Sequence, residues 1–150
     1  MPDRITKAGR AVTPRGVGKA CREIGYCAVY IIGFDDAPEP VKIGIAADVG
    51  ARFDALQVGN WRKMKLHAVI WTAGRPLALR VEQKTHDLLE RAGKRVAGEW
   101  FSVPPEWAAK AIATAAASLD IRTFSDAEMR KRAGHRVARN EARDWAAFPR

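Results

Sequence analysis

The chain is short of cysteine, of long apolar runs and of the glycine loops that cradle phosphates, and each shortage removes a class of protein. Cys21 and Cys27 are its two cysteines, too few for a disulfide framework and without metal-ligand spacing. They are expected to be reduced, structural thiols in a cytoplasmic protein. No stretch approaches the roughly 18 apolar residues of a membrane span, and the first residues lack the apolar segment of a secretory leader, so no membrane role is expected. Neither G-x-x-x-x-G-K nor G-x-G-x-x-G occurs, which argues against the two common nucleotide-binding loops. No serine sits on a G-x-S-x-G elbow, and no internal repeat is present.

Positive charge is what the chain has in excess. Its 150 residues carry 26 Lys+Arg against 17 Asp+Glu, a net +9, on an otherwise ordinary globular composition of 47% hydrophobic and 29% charged residues. One domain that binds a polyanion, nucleic acid ahead of a membrane surface, is the class this favours. The excess sits at the ends: residues 1–25 hold six bases and two acids, residues 122–150 eight bases and four acids, and the middle is nearly neutral. The first segment, with glycine, proline and no apolar period, reads as a flexible basic arm. The last begins with Ser125 and Glu128 at capping-box spacing and reads as a basic helix. Its Arg130, Lys131, Arg132, Arg136 and Arg139 are candidate DNA contacts. A membrane-surface role is disfavoured because that helix has only a thin apolar stripe.

Between the ends the apolar period switches repeatedly. Residues 26–33 (YCAVYIIG) and 41–46 (VKIGIA) read as two strands of a hairpin joined through FDDAPEP. Asp48 caps a short helix ending near Gly59-Asn60, and 65–72 (KLHAVIWT) reads as a third strand. Pro76 opens a helix closed at Gly93, and GEWFSV is short and extended. Pro104-Pro105 start an alanine-rich helix with Trp107, Ala111, Ala115 and Leu119 on one face. The expected fold is α+β: a small antiparallel three-stranded sheet flanked by helices, with the arm at 1–25, the domain at 26–121 and the basic helix at 122–150.

Strand alternation assigns faces. Ala28, Tyr30 and Ile32 point one way, and Cys27, Val29 and Ile31 the other. Val41, Ile43 and Ile45 form an apolar face opposite Lys42, Gly44 and Ala46. In suitable register Tyr30 and Lys42 share a floor that Gly44 leaves open. Arg52, in the first turn of the next helix, can lean over it. Glu82 and His86 lie four apart on a later helix, a spacing that puts a carboxylate and an imidazole on one side.

Val29-Tyr30-Ile31-Ile32, Val41-Lys42-Ile43-Gly44, Leu56-Gln57-Val58-Gly59-Asn60 and Gly98-Glu99-Trp100-Phe101, in that order across about residues 26–118, resemble the GIY-YIG endonuclease superfamily in its phage-associated and meiotically-upregulated-gene branch. The resemblance implies a metal-dependent DNA endonuclease working by one-metal phosphodiester hydrolysis. It implies Tyr30 as general base or activator of the attacking water, Arg52 as the phosphate clamp, and Glu82 as the carboxylate for Mg2+ or Mn2+, with His86 at a branch-specific position. Lys42 stands where the second tyrosine would be, a coherent exchange because a neighbouring cation favours an ionised phenol. The asparagine of many members has no counterpart, and Glu99 stands in that region. A protein that keeps the fold and binds DNA without cutting it is the alternative. Oligomeric state, target and biological setting are not legible.

Overall fold

The computed structural model describes residues 21–132, 134 and 135. Most of the basic arm, together with Arg136 and Arg139, lies outside the described residues. Six strands, β1 Cys27–Phe34, β2 Ala37–Ala46, β3 Met64–Thr72, β4 Arg95–Ala97, β5 Trp100–Phe101 and β6 Phe124–Ser125, alternate with three helices, α1 Val49–Val58, α2 Arg75–Arg91 and α3 Pro105–Ser118. Residues 21–23 and 126–132 are also helical. No helix among the described residues is long and apolar enough to cross a membrane.

The three-stranded sheet expected from the sequence is corrected to one six-stranded antiparallel sheet, ordered β4-β5-β2-β1-β3-β6. The central three strands are the long, periodic ones. The additional three run for two or three residues each, too short for a period of two to register. Their pairing partners, rather than their own sequence, make them strands. The hairpin is also tighter than FDDAPEP suggests: Asp35 and Asp36 form the turn and Phe34 pairs with Ala37. Pro38 and Pro40 fall between Ala37 and Lys42, where the ladder with β1 shifts register, so their missing N–H groups break no regular pair.

Both faces of the sheet are covered. Cys27, Val29, Ile31, Val41 and Ile43 pack with Val81 and Leu89 of α2 and Ala108 and Ile112 of α3. Ala28, Tyr30, Ile32 and Ala46 pack on the opposite face with Cys21, Val49, Met64, Trp71, Phe124 and Met129. The alternation of β1 and β2 therefore sorts residues between two cores. In α3 the buried residues are Ala108, Ile112, Ala115 and Ala116, and Trp107 is exposed, one position off the face that apolar spacing selected. The aromatic pair divides: Phe101 enters the first core, and Trp100 lies against the second, stacked on Phe34 with centroids 5.4 Å apart and planes at 8°.

Tyr30 and Gly44 are direct cross-strand partners, and they explain each other. A Cβ at Gly44 would stand 2.4 Å from the Tyr30 hydroxyl oxygen and 2.6 Å from ring carbon Cζ. The glycine therefore leaves room for the protein's own tyrosine ring, not for a ligand backbone. Gly44→Ala is expected to destabilise the fold by about 1–3 kcal/mol through overpacking, read by urea unfolding. Adding Tyr30→Phe should not relieve it, because Cζ remains, whereas Gly44→Ala on a Tyr30→Ala background should cost little more. A Gly44→Ala chain as stable as the wild type would mean that the ring does not lie over Gly44.

Candidate functional site

The site is built where β5 begins. Val41 pairs with Phe101 and Lys42 with Trp100, and the Ile43 N–H donates to the Glu99 carbonyl at 3.0 Å. The chain then turns away through Gly98, whose φ of 55° favours a residue without Cβ. Ile43 still offers a carbonyl on that side, and His86 Nε2 lies 2.9 Å from it. A carbonyl can only accept, so Nε2 carries the proton and a neutral ring leaves Nδ1 bare. Burial lowers the His86 pKa, favouring that neutral form. Through His86, α2 reaches from the first face to the open edge of β2 and brings Glu82, one turn earlier, with it.

Lys42 is buried and its ammonium is ion-paired with the Glu99 carboxylate. It lies two positions from Gly44 on the Tyr30 face. Arg52 is exposed on α1, whose N-terminus is set by Asp48 accepting from the Ala51 N–H at 3.0 Å. The Tyr30 side chain, by hydrogen bonding and then by charge, holds the Arg52 guanidinium above its ordinary pKa, with a smaller contribution from Glu99. Glu82 is buried; burial first and the Glu99 charge second push its pKa up to about 6, against opposing contributions from Lys42 and Arg75. His86 Nδ1 stands 4.0 Å from Glu82 Oε1, beyond hydrogen-bonding range.

Tyr30, Lys42, Arg52, Glu82 and His86 thus gather at one sheet edge, from both faces. Four of them share Glu99, which pairs with Lys42 and acts electrostatically on Arg52, Glu82 and His86, and Tyr30 joins them through Arg52. Sequence reading placed Glu99 only as the occupant of a missing asparagine's region. The one signal for it was a carboxylate directly before two aromatics that sort to opposite faces of a short strand. Among the described residues no group of three or more His, Cys, Asp or Glu could hold a metal ion. A hard cation that keeps most of its water needs only one or two carboxylates, and Glu82, buried and facing a second carboxylate, fits that demand.

The basic tail residues are engaged elsewhere. Arg130 Nε donates to Asp126 at 2.7 Å, and Arg132 donates to the Tyr26 hydroxyl at 3.2 Å and lies 4.7 Å over the Phe124 ring. Lys131 is exposed. A cleft of about 610 Å³ lies between the hairpin tip and the start of α3, lined by Asp35, Lys65, His67 and Glu106 among others. It contains none of the gathered side chains. Convergent charge marks the sheet edge as the stronger candidate.

A carboxyl whose pKa is raised on folding stabilises the fold most below its unfolded value, and that contribution is lost as pH rises through the folded value. For Glu82 the window runs from 4.5 to about 6. Above it, Glu82→Gln is expected to stabilise the chain by roughly 2 kcal/mol, with the gain vanishing below the window, as measured by urea unfolding across pH. Glu99→Gln should shrink that gain by removing a repulsive neighbour. A Glu82→Gln chain no more stable at alkaline than at acidic pH would contradict the strained carboxylate.

No curated protein and no solved structure matches the chain. A family model does: the T5orf172 domain, over residues 28–116. This corrects the GIY-YIG likeness, since the family that matches is a distinct one. The four motifs behind that likeness all fall inside the matched segment, so their residues keep their places while the assignment changes. The T5orf172 domain is associated with nuclease-like proteins. With more than half of its length matched, the chain belongs to the T5orf172 domain family.

Proposed function

We propose that the protein is a metal-dependent DNA endonuclease that hydrolyses phosphodiester bonds with one divalent cation, Mg2+ or Mn2+. The observation that best supports this is the convergence at the β2 edge of two cations and a strained carboxylate, linked electrostatically through Glu99, with the Tyr30 hydroxyl held against one of those cations, Arg52. Membership of a family associated with nuclease-like proteins points the same way.

Hydrolysis gathers negative charge on the phosphoryl oxygens and on the departing oxygen. Arg52, exposed and with a planar fork of donors, is suited to the phosphate. Lys42 adds a second positive charge on the Tyr30 face. The Tyr30 oxygen, beside Arg52, is the group that can orient and deprotonate an attacking water. Glu82 would hold the cation, whose chemistry is to neutralise charge on the phosphate and leaving oxygen. Binding a cation also relieves the cost of keeping Glu82 ionised, so ion affinity should fall as pH drops through about 6. The bases of the two ends, among them the exposed Lys131, are assigned to holding the DNA backbone. Removing one base that neutralises a phosphate should flatten the slope of log K against log salt by about 0.9.

A second reading, a DNA-binding protein without the chemistry, is favoured by one observation: Tyr30 is 1% exposed, so water must reach a nearly closed hydroxyl. Plasmid nicking with Mg2+ or Mn2+ separates the two. Tyr30→Phe and Glu82→Ala are each expected to slow cleavage by at least about 10²-fold while circular dichroism stays unchanged. Glu82→Ala cutting at the wild-type rate would remove the metal assignment. DNA binding by the wild type without metal-stimulated cleavage would establish the second reading.

A further inference from the structure

We infer that His86 Nδ1 and the Glu82 carboxylate together hold the divalent cation, giving it one nitrogen and one oxygen ligand from the protein, so that Mn2+ is preferred to Mg2+. An ion at Glu82 rests on the proposed function; the nitrogen ligand and the choice of ion rest on the geometry around α2.

Glu82 and His86 are one turn apart on α2, the helical spacing that presents two ligands to one ion. Both side chains are held in the sheet edge yet keep an opening to solvent, 10% and 12% exposed. The imidazole is fixed twice. Its Nε2 donates to the Ile43 carbonyl at 2.9 Å, and its ring lies against Phe101 with centroids 5.0 Å apart and planes at 39°. A histidine that ligates a metal through one nitrogen almost always donates the other to a carbonyl or carboxylate, which sets the tautomer and aims the free lone pair. His86 has that outer bond, and the nitrogen it leaves bare is the one nearest Glu82. His67 lacks it: its buried Nε2 has no hydrogen-bond partner among the described residues.

The separation fits an ion better than a proton. Nδ1 and Glu82 Oε1 stand 4.0 Å apart, too far to share a proton, and with Glu82 ionised both atoms can only accept. An ion about 2.1 Å from each ligand atom keeps the two about 3 Å apart at a right angle and about 4.2 Å apart in line. The observed spacing lies between those limits, so small side-chain rotations suffice. Glu99 is taken by Lys42, and among the described residues no third His, Cys, Asp or Glu completes a metal-holding group. The other ligand positions therefore fall to water and phosphate oxygens. Mg2+ takes oxygen ligands, whereas first-row transition ions also accept imidazole. A nitrogen ligand thus tilts the site from Mg2+ towards Mn2+.

Pulsed electron paramagnetic resonance of Mn2+ bound to the untagged full chain reads the ligand without depending on cleavage. Nitrogen hyperfine coupling to the ion is expected in the wild type and should vanish in His86→Gln, whose amide can still donate to the Ile43 carbonyl. Mn2+ affinity, followed by water proton relaxation, should fall by about 10-fold or more in that variant. Mg2+ affinity should fall far less, so the preference for Mn2+ shrinks. Coupling that persists in His86→Gln would overturn the inference by giving the ion to another histidine, and so would an unchanged preference. Should the variant fail to fold, the wild-type spectrum still decides: bound Mn2+ without nitrogen coupling overturns the inference and leaves the endonuclease reading standing. Coupling that depends on His86, in a wild-type protein that nicks no plasmid, would sink only the endonuclease reading. A chain that binds no Mn2+ would end both.

Discussion

Glu99 holds the Lys42 ammonium at the point where β5 begins, and the arrangement of the site follows from that contact. An ammonium inside a packed sheet is costly unless a carboxylate meets it, and Glu99 is half-exposed, so the pair keeps one side in water. The pairing fastens β5 to β2 as far as Ile43 and no further. The carbonyl left over draws His86, and with it α2, around the edge. The same carboxylate that satisfies Lys42 then opposes ionisation of Glu82. Fold and site share one charge, which both completes a strand and loads a neighbouring group.

The other half of the site is steric. A tyrosine lying across a glycine on the neighbouring strand needs a partner without Cβ, and that fixes the hydroxyl close to α1. Asp48 sets where α1 begins, and so where Arg52 projects. Tyrosine and arginine are thereby placed by packing and capping on one face, while Glu82 arrives with α2 from the other and Glu99 stands where β5 begins. Neither device depends on a bound partner.

Local periodicity made the central hairpin legible. The alternation of 27–32 and 41–46 divides residues between two cores as the structure does, and the Asp48 cap was readable from its place before an apolar-spaced run. What escaped depends on partners distant in sequence. Two-residue strands carry no period of their own. The face of α3 shifts because Ala108 and Ile112, not Trp107, meet α2 and the sheet. Glu99 has no local signature, since its importance comes from Lys42, 57 positions away. The four motifs lie inside the segment that the family model matches, yet motifs that short suggested a different family.

The second core crosses the boundaries that composition suggests. Cys21 from the charged leading segment and Phe124 and Met129 from the trailing one lie beside Tyr30 and Trp71, and Trp71 Nε1 donates to Asp126 at 3.2 Å. A fragment stopping at residue 121 would strip Phe124 and Met129 from the layer that packs with Tyr30 and Trp71. Shortening the chain at its basic ends therefore cannot separate grip from foldedness: loss of DNA affinity in such a fragment would report a collapsed hydrophobic layer as readily as missing charge. The smallest portable unit of this architecture, for fusion or recombination, has to carry the stretch from Cys21 to Met129, with the inner part of each basic segment serving as structural cladding.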